Sequence, residues 1–94
     1  MTGNNLVFRA HALQRMFLRK ISEEDVRYVL NHGEMIENYL DDEPYPNLIL
    51  GWLYSRPIHV VAADNVEEKE TIIITAYEPD THRWEMDFKR RKQI

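Results

Sequence analysis

The apolar residues of this chain change their period once, at Gly33, and that change limits what the chain can fold into. Before Gly33 they recur at helical spacing, and after it they alternate. A first helix is expected from about Phe8 to Lys20, with Leu13, Met16, Phe17 and Ile21 on its apolar face. A second helix begins at Ser22, a good N-cap. Glu23, Glu24 and Asp25 in its first turn suit the positive end of the helix dipole, Val26, Val29 and Leu30 form its apolar stripe, and Gly33 stops it. Met35–Leu40, Leu48–Tyr54, Ile58–Ala63 and Thr71–Tyr77 then read as four strands, with a tight turn near Ser55–Pro57. Asp41–Pro46 reads as a loop, Pro44 and Pro46 excluding regular structure. Pro79 ends the last strand. Asp80 or Thr81 would cap a C-terminal helix that docks Trp84 and Phe88 on the sheet. The expected fold is α+β: two N-terminal helices packed on a four-stranded, mainly antiparallel sheet, with a C-terminal helix.

At 94 residues, with 44% hydrophobic and 30% charged, the sequence suits one domain over residues 1–94. Without cysteine it has no disulfide, thiolate metal site or cysteine nucleophile. No apolar run approaches the roughly 20 residues of a membrane span, and the N-terminus lacks the pattern of a signal peptide. A cytoplasmic protein with no membrane partner is expected. The net charge of −4 weighs against nucleic acid, but the charge is unevenly distributed. Residues 1–20 carry four positive charges and no negative ones, and residues 81–94 carry five positive and two negative. The two ends would make a basic surface if the fold brings them together.

The chemistry-bearing residues are few. His11, Arg15 and Arg19 are spaced four apart and fall in one row on the first helix. A histidine can exchange a proton near neutral pH, and an arginine can hold phosphate in a planar fork. A solvated face paired with the acidic second helix would look the same. His59 lies in Ile58-His-Val-Val-Ala-Ala63, where both strand faces are apolar, as in a central strand covered on both sides. A histidine buried there needs a hydrogen-bond partner, and Tyr39 and Tyr77 are the candidates. It is either a satisfied core residue or a functional one. Tyr39, Tyr45, Tyr54 and Tyr77 bring hydroxyls near the sheet. Trp84 suits a core anchor, His32 a helix-end contact, and His82 an exposed position. No HExxH, glycine-rich phosphate loop or Gly-x-Ser-x-Gly elbow is present, so neither a metal nor a cofactor is expected. Ser22 and Ser55 suit a cap and a turn.

The pattern His11-Ala-Leu-Gln-Arg15-Met16, Arg19-Lys-Ile21-Ser22, Gly33, Tyr39, Pro44-Tyr-Pro46, Pro57-Ile-His59-Val-Val, Tyr77-Glu-Pro-Asp80 and Trp84 resembles domain-of-unknown-function family 4258, from about Leu6 to Lys92. That family is similar to the small ribonuclease-like toxins of the RelE and ParE type. The resemblance implies an antiparallel sheet packed by N-terminal helices, a bacterial toxin–antitoxin component, RNA as substrate and an antitoxin protein as partner. It places His11, Arg15 and His59 as catalytic, with Arg19 and Tyr77 binding substrate. The leading expectation is a metal-independent endoribonuclease-like toxin using the 2′-hydroxyl of RNA as nucleophile. The alternative is a non-catalytic protein-binding module that uses strand edges and the acidic loop Asp41–Tyr45. A third class is a structural domain whose histidines are packing residues.

Overall fold

Ser22 caps the second helix by a reciprocal pair of hydrogen bonds. Its hydroxyl accepts from the Asp25 backbone N–H, and the Asp25 carboxylate accepts from the Ser22 N–H. In the computed structural model, which describes residues 4–39 and 46–93, this helix is α2 (Glu23–His32) and follows α1 (Ala10–Arg19). Lys20 closes α1 in the left-handed conformation, with φ 58°. The Arg56 guanidinium donates to the carbonyls of Arg19 and Lys20, which satisfies the open end of α1.

The strands are β1 (Asn5–Phe8), β2 (Glu34–Asn38), β3 (Pro46–Leu53), β4 (Arg56–Asn65) and β5 (Glu70–Tyr77). They form one mixed sheet in the order β1-β5-β4-β3-β2. The pairs β2–β3, β3–β4 and β4–β5 are antiparallel, and β1 runs parallel to β5. The α+β class with two N-terminal helices holds, but the sheet has five strands rather than four. β1 is the additional strand, tied down by Asn4, whose amide donates to Thr71 and Asp64. Pro46 opens β3 instead of ending a loop, a position where a missing N–H is tolerated. The rest of the expected loop, Asp41–Tyr45, lies outside the described residues, as does Leu40.

The helices cover one face of the sheet. Ala12, Met16, Ile21, Val26 and Val29 pack there against Ile49, Ile58, Val60, Ala62, Ile73 and Ala76. Of the four residues expected on the apolar face of α1, Met16 and Ile21 are buried and Leu13 and Phe17 are exposed, so the buried face is rotated toward Ala12. α2 approaches β3 at Gly51, where an added Cβ would lie 2.8 Å from Val29 Cγ2 and 3.0 Å from its Cα. Gly51→Ala should therefore destabilise the protein by about 1–3 kcal/mol, read as a lower denaturant midpoint at unchanged slope.

The C-terminal helix is absent. Residues 80–93 instead form a chain of turns with a single bridge between Trp84 and Arg91. Asp80 starts it, its carbonyl accepting from the N–H groups of Arg83 and Trp84 and its carboxylate from that of His82. Trp84 and Phe88 still anchor this segment, but in separate places. Trp84 is buried against His59, and Phe88 meets the edge of Trp52. Phe88 has φ 58°, which a helix cannot contain. The segment covers the second face of the sheet, so β4 is enclosed on both sides.

Candidate functional site

His59 is 0% exposed, on the face of β4 away from the helices. Its register partners are Leu50 on β3 and Tyr77 on β5. Both ring nitrogens are occupied. Nε2 lies 2.8 Å from the Phe88 carbonyl oxygen, and Nδ1 lies 3.3 Å from the Tyr77 hydroxyl. A carbonyl can only accept, so Nε2 carries the proton and Nδ1 presents a lone pair to Tyr77. Trp84 stands edge-on over the ring at 4.5 Å between centroids. Burial pulls the His59 pKa below its ordinary 6.5, opposed by the Phe88 hydrogen bond and the nearby Glu37 carboxylate. The ring is neutral at neutral pH.

That shift fixes the sign of a pH effect. Below pH 6.5 the unfolded chain takes up a proton that the folded chain resists, so stability falls as the pH falls. Carboxylates titrate lower, so the window between about pH 5 and 6.5 reads the four histidines, and substituting His59 separates its share. The denaturant midpoint should drop across that window in the native protein. In His59→Phe the drop should shrink.

Tyr77 carries the site from the core to the surface. Its ring meets His59, and its other side lines a cavity of about 260 Å³ together with Arg19, Glu78, Asp80, Arg83, Trp84 and Arg91. Each cation arrives by a different route. Arg19 comes from the last turn of α1 and donates to the Ala76 carbonyl at 3.0 Å. Arg56 secures that end of α1 while pairing with Glu78. Arg83 sits in the turn begun by Asp80. Arg91 is clamped, donating from two nitrogens to the Glu37 carboxylate at 3.1 Å each. Its guanidinium also lies 4.6 Å from the centre of the Trp84 ring.

Tyr39 completes the clamp by donating to Glu37. Burial opposes the Glu37 carboxylate, but the hydrogen bonds from Arg91 and Tyr39 outweigh it and hold its pKa below the ordinary value. Burial and then Glu37 push the Tyr39 hydroxyl up to about 12. Burial also raises the Tyr77 pKa, which the arginines partly offset, so the phenol keeps its proton across the neutral range.

The sequence candidates separate into two groups. Arg19, Tyr77 and His59 come together, His59 directly beneath Tyr77. His11 and Arg15 stand exposed on α1, joined to each other by a hydrogen bond from Arg15 Nε to His11 Nε2 at 2.6 Å. Among the described residues no hydrogen bond connects them to His59. His32 donates from Nδ1 to the Tyr28 carbonyl and stacks on the Tyr28 ring, and His82 is exposed. Arg83, Arg91 and Glu37 were not singled out by sequence reasoning. The basic ends of the chain do meet, through Arg19 on one side and Arg83 and Arg91 on the other. Among the described residues, no three histidine, aspartate or glutamate side chains are grouped to hold a metal ion.

The site is thus a small cavity lined by three arginines, the acidic residues Glu78 and Asp80, a tyrosine and a tryptophan, with a neutral histidine bonded to the tyrosine. A family model described as "Domain of unknown function (DUF4258)" matches residues 8–78 of the chain. The match includes Arg19, His59 and Tyr77 and stops short of Arg83, Trp84 and Arg91. No curated protein and no solved structure gives a significant match.

Proposed function

The chain belongs to the DUF4258 family, and from that premise we propose that its arginine-lined cavity binds a phosphodiester of RNA and cleaves it without a metal. One observation carries this reading. Tyr77, whose hydroxyl faces an unprotonated nitrogen of His59, opens into the same cavity as Arg19, Arg83 and Arg91. Guanidinium forks suit the charge on phosphate, and Trp84 and Tyr77 offer aromatic edges beside it.

The step balances with the groups present. The 2′-hydroxyl gives its proton to the Tyr77 oxygen as the Tyr77 proton passes to His59 Nδ1. The 2′-oxygen bonds to phosphorus, and the bond from phosphorus to the 5′-oxygen breaks. The leaving oxygen takes a proton from water, and the hydroxide so formed recovers the proton held by His59 through Tyr77. No phenolate has to persist, so the raised Tyr77 pKa is no obstacle. Burial and Arg91 oppose the positive charge passing onto His59, while the Phe88 carbonyl and the Glu37 carboxylate favour it. The charge building on phosphate is favoured by the arginines. Arg19 and Tyr77 hold substrate, Tyr77 and His59 move the proton, and His11 and Arg15 take no step.

We further propose, from the sequence resemblance to RelE- and ParE-type toxins alone, that such an activity belongs to a bacterial toxin–antitoxin pair acting in the cytoplasm. Expression without a partner protein should then slow bacterial growth. The purified protein should cut mixed-sequence single-stranded RNA with EDTA present, leaving 2′,3′-cyclic phosphate and 5′-hydroxyl ends. The rate should fall in acid, where His59 becomes protonated, and stay level from neutral to mildly alkaline pH. Cleavage no faster than that of an Arg19→Ala/Tyr77→Phe double variant, alone or with ribosomes, would overturn the enzyme. The second reading, a structural domain whose histidines are packing residues, is favoured by the complete burial of His59 with both nitrogens bonded.

A further inference from the structure

Three apolar side chains of α1 point away from the sheet that α1 covers. Phe17 is 83% exposed and Leu18 79%, and Leu13 is exposed beside them. With Gln14 they line a shallow cavity of about 460 Å³. Isolated exposed apolar residues need no explanation, but three on neighbouring turns of one helix form a patch. The segment that carries it has one sign of charge. From Asn4 to Lys20 there is no carboxylate, whereas Arg9, Arg15 and Lys20 stand exposed around the helix. Among the described residues no salt bridge reaches any of these three cations. The apolar patch is therefore bordered by positive charge that the fold leaves unneutralised.

We infer that this face of α1 is a docking surface for a partner protein's acidic amphipathic helix. The apolar side of such a helix would cover Leu13, Phe17 and Leu18, and its carboxylates would meet Arg9, Arg15 and Lys20. Recognition of this kind places apolar anchors at helical spacing into a groove and takes its selectivity from charge. A second copy of this chain suits the surface less well, because two such faces would bring like charges together. The surface is separate from the arginine cavity, and the inference stands whether or not that cavity cleaves RNA.

The test uses the full-length protein and two labelled model peptides, one with leucines at helical spacing among glutamates, the other with lysines in place of the glutamates. Fluorescence polarisation should show binding of the glutamate peptide that weakens as salt is raised. The lysine peptide should bind at least about tenfold more weakly, as should the glutamate peptide to a Phe17→Glu/Leu18→Glu variant. Both substituted positions are exposed, so the variant should keep the circular dichroism of the native protein. Equal binding of both peptides, no binding, or binding indifferent to the double substitution would overturn the inference. So would a native protein that sediments as a dimer and becomes a monomer in the variant, because the occupant would then be a second copy.

Discussion

Tyr77→Phe should lower the rate of RNA cleavage by a factor of about 10²–10⁴, the range typical of losing a positioned proton-transfer group. The substitution removes one oxygen and leaves the ring between His59 and the cavity. The stability change should stay near the value of a single hydrogen bond, about 0.5–1.5 kcal/mol. Rate and stability therefore separate, which a purely structural role for the hydroxyl would not allow. Single-turnover kinetics beside a denaturant titration of the same preparation reads both. Arg19→Ala should weaken RNA binding as well as the rate, since in the proposed reaction Arg19 holds the phosphate and moves no proton.

Trp84→Ala should cost about 3–5 kcal/mol, as for other large aromatic truncations in a core. Against a total of about 5–10 kcal/mol for a domain of this size, that leaves little margin. Trp84 packs edge-on over His59, carries the guanidinium of Arg91 on its ring and pairs with Arg91 across the segment's bridge. Its loss frees the C-terminal segment and opens His59 to water. The denaturant midpoint should fall steeply. The fall in stability between neutral and mildly acid pH should shrink, because a hydrated histidine no longer resists its proton.

The elements with a local signature were legible in the chain. Ser22 and Asp25 start α2 by a contact within four residues, and alternating apolar residues predict β3, β4 and β5. Two apolar faces on β4 predicted that His59 would be enclosed and in need of a partner, and Tyr77 is one of its two. What escaped has its cause far along the chain. β1 is four residues long, abuts α1, and exists because it pairs in parallel with β5. Its Phe8 looked like the start of the helix.

The spacing of Trp84 and Phe88 fits a helix, but each anchor docks separately, and the Phe88 carbonyl is needed by His59. In a helix interior that oxygen would already have a partner. The face of α1 was misjudged for a related reason. Met16 and Ile21 were read correctly, but Leu13 and Phe17, which have core spacing, are exposed, and Ala12 fills the space under α1 instead. At the site, Arg91 looked like one cation in a basic tail. Its pairing with Glu37 across the fold leaves no local trace in the sequence.

A titration of isotopically labelled protein with a 2′-O-methyl oligoribonucleotide, which binds without being cleaved, tests most directly where RNA is engaged. Nuclear magnetic resonance should show shifts at the Arg19, Arg83 and Arg91 side chains, the Trp84 indole and the Tyr77 ring, with His59 Nδ1 responding as its partner hydroxyl is drawn toward the substrate. Shifts confined to His11 and Arg15 on α1, or none at the arginine cavity, would contradict the account.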